Sequence, residues 1–251
     1  MCRHIAYVGP SVRIEEVLVD PEHALLRQSW APRRQRHGTV NADGFGVGWY
    51  ADGDPVPGRY RRSGPIWADP SFTDLARVVR TGALLAAVRD ATVATADGEA
   101  AAAPFTDGPW LFSHNGAMAD WPGSVAALAA RLPPEDLLRL EARCDSAFVW
   151  ALMSGRLRAG DDMPTALTGV VAELHEAAPA SRLNFLLTDG RSIAATAWGD
   201  TLWYRRLPGA GVVVASEPHD DGGGWVEAPD RCLLHATPTE VLLTPLKESA
   251  S

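Results

Sequence analysis

Cysteine is scarce in this chain: Cys2, Cys144 and Cys232 are spread over 251 positions. Three is an odd count, which excludes a disulfide framework, and no pair has zinc-finger spacing. Basic residues are in deficit, 23 against 31 acidic, for a formal charge of −8 and a pI near 5.3. Without a basic face, no nonspecific binding to nucleic acid or to an anionic membrane is expected. Long apolar runs are missing as well. The run at 83–88 falls far short of the roughly 20 residues that a membrane-spanning helix needs. The first residues hold no apolar stretch of secretory length and no small-residue cleavage site, so a cytoplasmic protein is expected.

What is present suits a sizeable core: 46% of residues are apolar and 22% charged. No linker or internal repeat interrupts the chain, which reads as a single domain over residues 1–251, or 2–251 once Met1 is removed. Short strand-like runs bounded by Gly, Pro or Asp lie at 5–8, 46–50, 84–89, 110–113, 183–188, 192–198, 201–205, 212–216 and 241–244. Asp189-Gly190 and Gly199-Asp200 are hairpin-turn signals. Helical periodicity covers 22–29, 71–80, 124–132, 135–142, 146–153 and 165–177. In the second of these, Asp69 or Ser71 is the expected cap, with Phe72, Leu75, Val78 and Val79 on one face. The Ala-rich stretch 94–103 reads as a mobile loop. Strands and helices without βαβ alternation predict a layered α+β fold with antiparallel strands.

Five features carry chemistry. Cys2 directly follows the initiator Met, so removal of Met1 leaves one residue with both a thiol and an α-amine. That amine, with a pKa of about 7.7–8.0, can serve as base for its own thiol; otherwise Cys2 is an incidental terminal residue. In Asp43-Gly44-Phe45-Gly46-Val47-Gly48, alternate glycines leave one strand face bare for a close backbone or ligand, or simply mark an edge strand. Arg89 ends an apolar strand, placed either to grip a carboxylate or to reach for solvent. The strand at 110–113 breaks at Asn115-Gly116, where an amide and a backbone N–H form an oxyanion hole or a plain hairpin turn. Asp145 opens an apolar helix, as a ligand or as an N-cap.

Taken in order, these motifs resemble the class II glutamine amidotransferases, which are N-terminal nucleophile hydrolases. The resemblance implies a four-layer αββα sandwich, two antiparallel sheets between helices. It makes Cys2 nucleophile and base, and Asn115 with the Gly116 N–H the oxyanion hole. Arg89 and Thr92 would hold the α-carboxylate of a γ-glutamyl group, and Asp145 its α-ammonium. Two departures point away from free glutamine: Cys2 is followed by Arg3-His4 where glutamine users have Gly-Ile, and Ala102-Ala103-Pro104 lacks their His before Pro. With Ala31-Pro32-Arg33-Arg34-Gln35, Asn41-Ala42-Asp43-Gly44, Ala103-Pro104-Phe105 and Ala215-Ser216-Glu217-Pro218, they resemble the stand-alone amidohydrolases of ergothioneine biosynthesis.

That branch implies hydrolysis of the γ-glutamyl amide of γ-glutamyl-hercynylcysteine S-oxide, a small-molecule partner, with no cofactor and no metal. The alternatives are a glutaminase feeding ammonia to a separate synthase and a catalytically dead interaction scaffold. The trimethylammonium of such a substrate calls for a Trp or Tyr in the pocket, with Trp49 and Tyr50 the nearest candidates. Cys144 and Cys232 read as buried thiols. Arg33, Arg34 and Arg36 read as a solvated patch, and His23, His175, His219 and His235 as ordinary surface or core residues. The oligomeric state is not legible.

Overall fold

A computed structural model describes residues 2–91 and 98–246. The chain opens with β1 (Arg3–Arg13), α1 (Ile14–Leu18) and α2 (Leu25–Gln28), followed by β2 (Phe45–Trp49), β3 (Gly58–Arg62), α3 (Pro70–Val78) and β4 (Arg80–Val88). After β5 (Phe105–Asp107) and β6 (Trp110–Ala117) come α4 (Ala126–Ala129), α5 (Pro134–Leu138), α6 (Asp145–Arg158) and α7 (Met163–Ala177). The rest is strand: β7 (Arg182–Thr188), β8 (Ile193–Ala197), β9 (Trp203–Leu207), β10 (Gly211–Ala215), β11 (Val226–Glu227), β12 (Cys232–Ala236) and β13 (Val241–Pro245). They form a seven-stranded sheet, β11-β9-β10-β1-β4-β2-β3, and a six-stranded sheet, β13-β12-β8-β7-β6-β5, with every pairing antiparallel.

Side-chain alternation stacks these sheets between helices. On β1, Ala6 and Val8 face the second sheet while Ile5 and Tyr7 face α1 and α3; β4 and β10 split in the same way, Leu85 and Val214 inward, Leu84 and Val213 outward. Because both faces are covered, the strands read as continuous apolar runs rather than as apolar–polar alternation. On the far side, Phe112, Phe185 and Leu187 pack on α6 and α7 through Phe148, Val149, Val170 and Leu174. The layers are therefore α, β, β, α, as the resemblance implies.

The bare glycine face serves backbone packing, not a ligand. A Cβ on Gly46 would lie 2.4 Å from the Ala103 carbonyl oxygen, and one on Gly48 2.6 Å from Leu111 Cδ1. These two glycines let β2 close onto the second sheet.

Several local expectations need correction. Asp69 caps α3 by accepting from the Ser71 and Phe72 N–H groups, but Phe72 and Ala76 are its buried residues and Val78 is 64% exposed. Expected helices 22–29 and 135–142 shrink to Leu25–Gln28 and Pro134–Leu138. In the expected loop 94–103, the described part holds a short 3₁₀ turn, Gly98–Ala101, and buries Ala101 and Ala102.

Candidate active site

One cavity of about 330 Å³ opens at the end of the sandwich and gathers Cys2, Arg89, Gly116 and Asp145 from distant parts of the chain. Arg3 pairs with Val88 across β1 and β4, so Cys2 and Arg89 leave the same end of neighbouring strands. The opposite wall is the end of β6 and the start of α6. Thr92 lies outside the described residues.

Asn115 and Gly116 do not form a turn. β6 runs through them to Ala117, in register with Asn184 and Leu183 of β7, because that pairing outweighs the turn preference of Asn-Gly. Asn115 is fully buried, and among the described residues no group bonds either polar atom of its amide. The Leu183 N–H donates to the Trp198 carbonyl on its far side, so Gly116–Leu183 is a non-hydrogen-bonded pair. The Gly116 N–H therefore points away from β7, beyond the end of β5, toward the cavity that Gly116 lines. Only glycine fits here: a Cβ would stand 2.0 Å from the Arg182 carbonyl oxygen.

Asp145 is the first residue of α6, one position inside the cap. Its Oδ2 accepts from the Met118 N–H at 3.1 Å and its Oδ1 from the Ser146 N–H at 2.8 Å, which tie the helix start to the end of β6. His114 Nε2 donates to the Arg182 carbonyl at 2.9 Å, and its Nδ1 lies 3.2 Å from Ser146 Oγ. His4 Nδ1 meets Ser113 Oγ at 3.2 Å across the gap between the sheets.

Burial raises the pKa of the Cys2 thiol, opposed by the Asp90 backbone N–H and the Arg89 guanidinium. A raised thiol pKa disfavours the thiolate, the form in which a cysteine is nucleophilic. Cys144 is partly buried, packing against the core under the second sheet while also lining the cavity, and burial pushes its thiol up to about 11. Cys232 is buried as expected.

The aromatic residue at the cavity is Trp121, with Phe45 and Phe105. Trp121 leans on Phe148, its ring centroid 5.6 Å away. Neither Trp49 nor Tyr50 lines this cavity: Tyr50 Oη donates to the Pro109 and Thr188 carbonyls and is structural. Asp120 and Arg143 also line the cavity and carry no sequence motif of their own, whereas Ser146 follows Asp145 at the start of the helix. Outside it, Glu22, His23 and Asp221 bring potential ligand atoms within 4.8 Å of one another, although Asp221 is already paired with Arg33 and His23.

The fold and these residues define a glutamine amidotransferase domain of class II. The chain belongs to that family, whose model, Glutamine amidotransferases class-II, matches residues 21–218. It is 43% identical over 246 residues to the gamma-glutamyl-hercynylcysteine sulfoxide hydrolase of Mycolicibacterium smegmatis, covering 98% of this chain and 100% of the relative. The enzyme of that name from Mycobacterium tuberculosis (strain CDC 1551 / Oshkosh) is 42% identical over 248 residues, 98% and 97% of the two chains. Among solved structures, a glutamine aminotransferase class-II domain protein from Silicibacter pomeroyi superposes with a TM-score of 0.71 at 24% identity, covering 98% of this chain and 100% of that one. No helix among the described residues is long and apolar enough to cross a membrane.

Proposed function

We propose that this chain hydrolyses the γ-glutamyl amide of γ-glutamyl-hercynylcysteine S-oxide to glutamate and hercynylcysteine S-oxide. Full-length identity of 43% to a hydrolase named for that substrate carries the reading. The residues grouped in the cavity supply the chemistry. With Met1 removed, the Cys2 α-amine takes the thiol proton and Sγ attacks the δ-carbonyl carbon of the glutamyl group. Asn115 Nδ2 and the Gly116 N–H donate to the oxyanion, each donor contributing about 3–4 kcal/mol to the transition state. Collapse breaks the C–N bond, and the α-ammonium returns its proton to the departing amine. The thioester is then opened by water, whose proton goes to the same amine, and glutamate leaves with Cys2 restored. Arg89 grips the α-carboxylate, a contact to which the family resemblance also assigns Thr92, and Asp145 holds the α-ammonium.

Glutamate release measured side by side on γ-glutamyl-hercynylcysteine S-oxide and on glutamine tests this. A kcat/KM for glutamine equal to or above that for the larger amide overturns the assignment in favour of an ammonia-supplying glutaminase. Turnover of neither, with Cys2 inert to a γ-glutamyl diazoketone, identifies a dead scaffold.

A further inference from the structure

Three sequence motifs that the chemistry above leaves unused, residues 31–35, 41–44 and 215–218, are joined in one chain of contacts that starts at a buried carboxylate. Glu217 is 1% exposed, and Arg3 beside it is fully buried, Nη1 to Oε2 at 3.7 Å. The Arg3 Nε–H donates at 2.9 Å to the carbonyl oxygen of Cys2. Glu217 also accepts from the backbone N–H groups of Arg33 (3.0 Å) and Arg34 (2.7 Å), so the segment expected to be a solvated patch is tied down by its main chain. The next residue, Gln35, accepts from Asn41 Nδ2 at 3.0 Å through its Oε1, and the Asn41 N–H donates to the Ser29 carbonyl. Two residues on, Asp43 brackets the glutamyl-binding arginine. Its N–H donates to the Arg89 carbonyl, its carbonyl accepts from Arg89 Nη1 at 3.3 Å, and its Oδ2 accepts from the Ala91 N–H at 2.8 Å.

We propose that Glu217 is a positioning residue that holds Cys2, through Arg3, and Arg89, through residues 33–43, in one fixed arrangement. The proposal rests on Cys2 being the nucleophile. Stability alone does not explain the pair, since desolvating two ions costs several kcal/mol and apolar replacements of buried ion pairs are often neutral or stabilising. What the pair supplies is direction. The rigid guanidinium fork fixes the Cys2 carbonyl, and with it the one residue that carries nucleophile and base together. A misplacement of about 1 Å there can lower the rate about 10²-fold. Burial lowers the Arg3 pKa, and Glu217 opposes that shift.

The test uses hydrolysis of γ-glutamyl-p-nitroanilide, normalised to sites titrated with a γ-glutamyl diazoketone. Arg3→Met should lower kcat per titrated site by about 10–10²-fold and leave KM unchanged. Asp43→Ala should raise KM about tenfold and leave kcat nearly unchanged, the effect of one lost charge-assisted bond. Glu217→Gln should do both. If Glu217→Gln fails to fold, the split between the other two variants still decides. Variants that lose titratable sites but keep wild-type kcat and KM at the remaining ones overturn the proposal and leave Glu217 a stability residue. Labelling of the wild type somewhere other than Cys2 overturns the nucleophile assignment instead.

Discussion

The Asp145→Asn substitution separates the structural link that Asp145 makes from the substrate contact proposed for it. Its carboxylate accepts from Met118 and Ser146, so Asp145→Ala would orphan both N–H groups and confuse folding with function. Asparagine keeps one acceptor and the shape. Losing the second bond should cost about 0.5–1.5 kcal/mol of stability. The charge facing the substrate's α-ammonium matters more. A fully buried pair that loses one partner costs about 3–5 kcal/mol. Asp145 is half-buried, so the lower end, about 3 kcal/mol, applies. At 1.36 kcal/mol per factor of ten, kcat/KM should fall about 10²-fold while the protein still melts cooperatively. A second substrate makes the assignment specific. The analogue with hydrogen in place of the α-ammonium should react poorly with the wild type and about equally poorly with Asp145→Asn. If the variant still prefers the ammonium-bearing amide by the wild-type ratio, Asp145 is only a structural link between β6 and α6.

Retention of Met1, or acetylation of the Cys2 amine, should slow turnover by at least about 10²-fold, the usual contribution of a positioned base; intact mass and activity measured on one preparation check this. Trp121→Leu should lower kcat/KM for the hercynyl substrate by about 2- to 30-fold, a cation–π contact of roughly 0.5–2 kcal/mol, and leave γ-glutamyl-p-nitroanilide unaffected. An equal loss on both substrates would place Trp121 in general packing. Burial holds His4 neutral, well below the usual imidazole range, with Arg3 and His114 adding to the shift. It likewise lowers His219 to about 4, with Asp220 opposing and Arg205 adding. The unfolded chain binds these protons near pH 6.5 and the folded chain does not. Stability should therefore be complete above that pH and fall by about 1.4 kcal/mol per pH unit for each histidine as pH drops toward 4. Urea titrations at pH 7 and pH 5 read this directly, and His219→Gln should flatten the slope.

The central strands were legible because a sheet covered on both faces writes itself as unbroken apolar runs, as in 84–89 and 212–216. β3 was not: Gly58–Arg62 is an edge strand whose arginines reach sideways, Arg59 and Arg61 both pairing with Glu141, so it shows no apolar signal. α1 was missed because it continues directly from β1 with no breaker between them. The site residues stood out by type and order, yet Asn115-Gly116 shows the limit of local chemistry. Whether that pair turns or extends is decided by β7, some 70 residues downstream in sequence. Trp121 and Asp120 carry no spacing signal at all, and only the fold brings them into one cavity with Cys2.

The groups proposed to react belong to different sheets: Cys2 enters from the first, and Asn115 with Gly116 lies near the end of a strand of the second. No covalent path shorter than about a hundred residues joins them, so the gap between attacking sulfur and oxyanion donors is set by the thickness of the filling between the sheets. That filling is a thin layer of mixed calibre, Ala6, Val8 and Leu85 against Leu111, Leu186 and Ala195. Each side chain acts there as a spacer. Removing one methyl group leaves a hole that the sheets close only in part by moving together, so the change shifts their separation as well as costing stability. Changes of turnover rate without any change in substrate contacts should therefore arise deep in this layer, whereas equivalent changes beneath α7 should register only as stability.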